Sequence, residues 1–187
     1  MSTAPRPLFP SFLNLGGGAI LRAARPEDAA AVFAVVDSNR EHLRVWLPWV
    51  DGSQTAQDTR AFLEHDTELS AQGLGATYLI VDEGSLAGLA GLHNIDTVNR
   101  SLMIGYWLAK RCEGRGLVTR ACDRLIEVAF HESGFERIVI RCAVGNTRSA
   151  AVPKRLGFAF EGIERHGQRW HNGFADLEIY SRLRGDR

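Results

Sequence analysis

Three cysteines in 187 residues, Cys112, Cys122 and Cys142, show no CxxC spacing, and an odd number cannot close into a disulfide framework. The expected setting is therefore a reducing cytoplasm. No apolar run approaches the roughly 18 residues that span a bilayer, and the N-terminus lacks a basic region followed by an apolar stretch, so no membrane partner is expected. An excess of one charge is missing too. The 22 Lys and Arg residues balance 22 Asp and Glu, which removes the field that would draw a nucleic acid. No His/Cys/Asp cluster has metal-ligand spacing and no Gly-x-Ser-x-Gly elbow occurs, so neither a metal nor serine hydrolysis is expected.

What is present suits one soluble α/β domain: 45% hydrophobic and 24% charged residues over a length sufficient for a single core. Prolines at 5, 7 and 10 and the Gly16-Gly17-Gly18 hinge predict an N-terminal arm over residues 1–18, with the domain covering 19–187. Hydrophobic periodicity predicts a strand over Ala19 to Ala24 and helices to about Ser38, around Leu43 to Trp49, and from Thr55 to Gln72. Strands follow over Ala76 to Asp82, Leu86 to Ile95 and Leu102 to Leu108. A helix runs from Leu117 towards Ser133, then a strand over Arg137 to Val144 and a helix over Thr147 to Leu156. Two last strands lie at Phe158 to Arg165 and Ala175 to Leu183. The expected architecture is α+β, a mixed central sheet of about six to seven strands flanked by helices.

Arg111-Cys112-Glu113-Gly114-Arg115-Gly116 joins an apolar strand to a helix and has the composition of a phosphate cradle. Two glycines free the turn of Cβ atoms, so successive N–H groups can converge on an anion where the helix opens with its positive end. A nucleotide P-loop would need Lys-Ser or Lys-Thr after the last glycine, where Leu117 and Val118 stand. A dinucleotide fingerprint would need a small residue where Thr119 stands. The remaining pattern, Arg-x-x-Gly-x-Gly on Arg111, Gly114 and Gly116, resembles the acyl-CoA loop of the GNAT N-acetyltransferases. Asn146-Thr147-Arg148-Ser149 with Gly157-Phe158 resembles the family's Asn-x-x-Ser helix and Gly-Phe turn. His42-Leu43, Trp46, Pro48-Trp49 and Ile104-Gly105-Tyr106-Trp107-Leu108 resemble its ribosomal-protein N-terminal (Rim-type) branch.

The resemblance implies transfer of an acetyl group from acetyl-CoA, as co-substrate, to a primary amine: the N-terminal α-amino group of a protein such as a ribosomal protein, or alternatively a small-molecule amine. A non-catalytic acyl-CoA-binding or protein-interaction module is the reading from a different class, suggested by Pro153 and Met103 at possible proton-transfer positions. The resemblance places the pyrophosphate on residues 111–119, meaning Arg111, Cys112, Glu113, Gly114, Arg115, Gly116, Leu117, Val118 and Thr119. Pantetheine and the developing oxyanion fall to the main chain of Ile104, Tyr106, Trp107 and Leu108, where Gly105 predicts a bulge or a splayed edge. Asn146 has two readings, helix cap and pantetheine ligand. The resemblance also implies a hydrogen bond from Ser149 to the departing thiolate. Pro153 stands in the place of the tyrosine acid found in many GNAT members, which leaves Ser149 or a water held there to protonate or solvate the sulfur. Met103 stands where some relatives carry a glutamate base. Glu161, His93, Asp176 and Glu178 are the remaining acceptors of a proton, with a water-mediated path preferred. His42, Trp46, Trp49 and Trp170 are candidate walls for the amine, with core packing as the other reading for the first two tryptophans. An exposed strand edge or the apolar arm leaves room for a homodimer.

Overall fold

A computed structural model describes residues 8–186. Its single eight-stranded sheet runs β1-β2-β3-β4-β5-β6-β8-β7, with every neighbouring pair antiparallel except β5 and β6. The strands are β1 Phe12–Gly16, β2 Ala19–Ala23, β3 Ala76–Asp82, β4 Ser85–Asp96, β5 Ser101–Leu108, β6 Arg137–Ala143, β7 Ala159–Trp170 and β8 Gly173–Leu183. The helices are α1 Ala29–Ser38, α2 Arg40–Arg44, α3 Ala56–Ala71, α4 Leu117–Glu127 and α5 Thr147–Arg155.

Two expectations change. Of the predicted arm, residues 1–7 lie outside the described range, while Phe12–Gly16 is a strand paired with β2 and raises the count to eight. Leu13 and Leu15 alternate inward from exposed neighbours, and the three glycines expected to act as a hinge form the turn of this hairpin with positive φ. The second change concerns the C-terminal hairpin. Its strands run on past the expected end at Arg165 to Trp170 and start again at Gly173, ahead of the expected Ala175, leaving a two-residue turn at the end of a long ribbon. Bulges at Gly162 and between Glu164 and Gln168 break the alternation by which a strand is recognised.

The sheet is covered on both faces. On one, the apolar stripe of α4 (Leu117, Ala121, Cys122, Leu125) packs on Leu21, Ile80, Leu92, Leu102, Ile104, Ile138 and Ile140. On the other, Val32 and Val36 of α1, with Leu43 and Val50, pack on Leu79, Leu89 and Trp107. Burying each leucine contributes roughly 1.5–3 kcal/mol. β5 and β6 share one short parallel register, Ser101↔Arg137, Leu102↔Ile138 and Met103↔Val139, and separate beyond it. β5 follows β4 through Gly91↔Gly105 to Gly88↔Leu108, while β6 follows β8 to Ala143↔Leu177. The sheet opens between them. The predicted splay is therefore present on the β6 side, but no bulge lies at Gly105, since the β4–β5 irregularity falls between His93 and Asp96.

Candidate active site

The cradle lies between the end of β5 and α4. Gly114 (φ 75°) and Gly116 (φ 70°) are in the left-handed region, and Gly116 is the N-cap of α4. The first bond into the helix runs from the Arg120 N–H to the Gly116 carbonyl at 3.0 Å, and the N–H groups of residues 114–119 have no backbone acceptor among the described residues. Unpaired donors, glycines and a helix N-terminus facing one way make an anion site.

The side chains there divide their work differently from the sequence expectation. Arg115 Nη1 lies 2.5 Å from Asp82 Oδ2, a buried carboxylate at the end of β3, so what Arg115 offers a ligand is its backbone. Arg120 donates to the carbonyls of Leu15 and Gly16. Cys112 and Leu117 point into the core, Val118 packs against it, and Thr119 is half-buried on the first turn of α4. Glu113 is paired with Arg148 of α5 and lies 3.1 Å from His42 Nε2. Arg111 is exposed and has no ion pair among the described residues, which leaves its charge available beside the glycines.

In the gap between β5 and β6, on the α4 face, Tyr106, Ser149 and Cys142 meet. Tyr106 Oη donates to the Ser149 carbonyl at 3.0 Å. That carbonyl is available because Pro153, four residues on in α5, has no N–H to bond it. The proline that excludes a tyrosine acid therefore gives Tyr106 a place to dock. Ser149 Oγ lies 3.2 Å from Tyr106 Oη and 3.3 Å from Cys142 Sγ, and its one hydrogen can serve only one acceptor at a time. Burial raises both Tyr106 and Cys142, which keeps both protonated. Asn146 caps α5, accepting the Ser149 N–H at 3.2 Å. Cys142 and the Tyr106 hydroxyl were not singled out by sequence reasoning. The signal that could have found the tyrosine is the proline inside a short helix, which always leaves one carbonyl unpaired.

On the opposite face His93 lies over Gly105. A Cβ at 105 would meet His93 Nε2 at 2.9 Å, so the glycine makes room for this ring. His93 sits among protein atoms yet keeps solvent-accessible surface, and desolvation lowers its pKa below the ordinary histidine value, with the Arg141 charge adding to the effect. Arg141, beside it on β6, is paired with Glu164 and donates to the Gly167 carbonyl at 3.1 Å. Glu161 is elsewhere. Bonded by Arg137 at 2.5 Å and by Ser181 at 2.6 Å, its carboxyl is held at about 2, which withdraws it as a base. Asp176 accepts the His166 N–H and Glu178 the Tyr180 hydroxyl, so both serve the hairpin.

The segment from α2 to the 3-10 turn Pro48–Asp51 crosses the mouth of the gap. Trp49 lies 6.2 Å from Trp107 of β5 between ring centroids, and Trp46 faces Gly145 just beyond β6. Trp49 remains 42% exposed, so it lines the surface of the mouth and does not fill the core. Trp170 is at the end of β7, edge-on to His171, whose ring reaches Asp51 of the 3-10 turn. His42 is not with them; its ring turns to the cradle. Among the described residues no helix is long and apolar enough to cross a membrane, and no group of three metal-ligating side chains occurs.

A sheet that opens between two parallel strands, with an anion cradle after the first and a capped helix after the second, is the architecture of an acyltransferase. The profile of the acetyltransferase (GNAT) domain matches residues 19–159, and the chain belongs to that family as an acetyl-CoA-dependent N-acetyltransferase. The chain is 38% identical over 165 residues to the putative ribosomal N-acetyltransferase YdaF of Bacillus subtilis, covering 88% of this chain and 90% of that relative. RimL, the ribosomal L7/L12 alpha-N-protein acetyltransferase, solved with coenzyme A in a disulfide to one of its own cysteines, superposes with a TM-score of 0.88 at 26% identity, over 92% of this chain and 97% of that one. The microcin C7 self-immunity acetyltransferase MccE, solved with acetyl-CoA and AMP, gives 0.88 at 26% identity over 95% and 98%.

Proposed function

We propose that the chain acetylates the N-terminal α-amino group of a protein, such as a ribosomal protein, by direct attack of the amine on acetyl-CoA in a ternary complex. The observation that carries this reading is the two-sided gap. Tyr106, Ser149 and the cradle lie on one side, His93 and the tryptophan-lined mouth on the other, so donor and acceptor approach from opposite faces. The amine nitrogen bonds to the thioester carbonyl carbon, the carbon–sulfur bond breaks, one proton leaves nitrogen and one goes to sulfur. Main-chain N–H groups of Ile104, Tyr106 and Leu108, which alternate away from the β4 ladder towards the side where β6 departs, are suited to the oxyanion; that of Trp107 belongs to the pair with Leu89 of β4. Ser149 Oγ, within 3.2 Å of Tyr106 Oη and 3.3 Å of Cys142 Sγ, is the group we assign to the departing sulfur.

An α-amine titrates near ~8, so a weak acceptor suffices, and His93, whose pKa desolvation lowers below the ordinary histidine value, accepts the proton directly or through water. Ser149→Ala is expected to lower kcat about 10- to 100-fold while leaving acetyl-CoA affinity within about threefold. His93→Ala should remove the acidic limb of the kcat/KM pH profile. An unchanged kcat removes the serine, and an unchanged profile removes the histidine.

Mass spectrometry of a cell extract incubated with the enzyme and isotopically labelled acetyl-CoA identifies the acceptor. A labelled protein N-terminus is expected. Label confined to small molecules, or to lysine side chains, overturns the reading.

A further inference from the structure

The tip of the β7–β8 hairpin does not hang free. His171 Nδ1 lies 2.8 Å from Asp51 Oδ2 and its Nε2 lies 3.0 Å from the Arg44 carbonyl. Arg44 in turn holds Asp51 through Nε–Oδ1 at 2.5 Å and Nη2–Oδ2 at 3.1 Å. Carboxylate and carbonyl are both acceptors, so the arrangement is fully bonded only when both ring nitrogens carry hydrogen. These three residues touch neither the cradle nor the Tyr106–Ser149 cluster. They join two segments distant in sequence: the 44–51 bridge bearing Trp46 and Trp49, and the hairpin end bearing Trp170.

The bridge is anchored at its other end too, through His42 to Glu113 of the cradle and, from the residue before α2, through Asn39 Oδ1 to the Lys110 N–H at 2.9 Å. The clasp thereby closes a circuit of contacts that runs from β5 through Trp107 and Trp49 to the bridge, through His171 to the hairpin, and through β8 to β6.

We propose that Arg44, Asp51 and His171 form a clasp that fixes the two walls of the acceptor passage and gives the enzyme its affinity for the extended chain behind the reacting amine. The proposal rests on the N-terminal acetylation reading and adds a specificity determinant to it. His171 is a positioning residue. It reaches the acceptor through the spacing of Trp49 and Trp170, so losing it weakens a long acceptor and spares a short one.

The test compares two acceptors, an octapeptide with a free N-terminus and glycinamide, whose amine carries no chain to lie on the walls. In His171→Ala the KM for the octapeptide is expected to rise about tenfold, with the KM for acetyl-CoA and for glycinamide within about twofold of wild type. His171→Gln, whose amide nitrogen keeps two donors, should recover most of the loss. Asp51→Asn should raise the peptide KM on its own, and the double variant Asp51→Asn/His171→Ala should raise it little further, since the pair acts as one unit. An unchanged peptide KM in both single variants, or equal losses for octapeptide and glycinamide, overturns the clasp alone. Failure of the wild-type enzyme to acetylate the octapeptide overturns the clasp and the N-terminal reading together.

Discussion

Gly114→Asp is expected to lower coenzyme A affinity by at least about 100-fold in a calorimetric titration, about 2.7 kcal/mol. The fold should bear only the modest strain of a non-glycine residue at positive φ. A Cβ at 114 meets nothing within 4 Å, and Asp is among the residues that tolerate the φ of 75° found there. The loss comes from a carboxylate placed among N–H groups that await an anion, where like charge repels the pyrophosphate. Gly114→Asn separates the causes. It has nearly the same shape and backbone tolerance without the charge, and should cost no more than about tenfold. If the Asp variant binds like wild type, the cradle is not the pyrophosphate site.

Gly88→Ala is expected to be the most damaging small change to stability. The new Cβ would clash with the Trp107 carbonyl oxygen and lie 2.9 Å from the Leu108 Cα, both backbone atoms of β5. Neither can rotate away, so β4 and β5 must separate at the Gly88↔Leu108 pair, beside the strand that supplies the acyl-binding N–H groups. Overpacking of this kind costs about 3 kcal/mol, which for a chain of this size lowers Tm by roughly 6–12 °C. Gly173→Ala, where a Cβ meets nothing and φ is not positive, should leave Tm within about 2 °C. Equal melting of the two variants would show that β4 and β5 yield more easily than their packing indicates.

Most of the fold could be read because its elements are strongly periodic. The predicted strand over Ala76 to Asp82 matches β3 to the residue, and the stripe from Leu117 to Val128 lies in the core as expected. Phe12–Gly16 escaped because four residues running into three glycines look like a tail until β2 is there to pair with them. Backbone-driven parts of the site, the cradle and the splay, were legible because glycine and local order dictate them. Side-chain partnerships were not. Arg115 bonds a residue 33 positions earlier and His171 one 120 positions earlier, and no local pattern carries such distances. Glu161 looked available as a base until Arg137, a neighbour only through β8, accounted for its charge.

The Arg115–Asp82 pair has a kinetic consequence. A carboxylate 6% exposed must find its cation when the chain folds, because an unpaired buried charge is strongly unfavourable. With Glu113 tied to Arg148 as well, the cradle takes its shape with the fold and not with the ligand. Coenzyme A then meets a rigid loop. Association is limited by encounter and orientation, little conformational entropy is lost, and differences in affinity between acyl donors appear in their rates of departure.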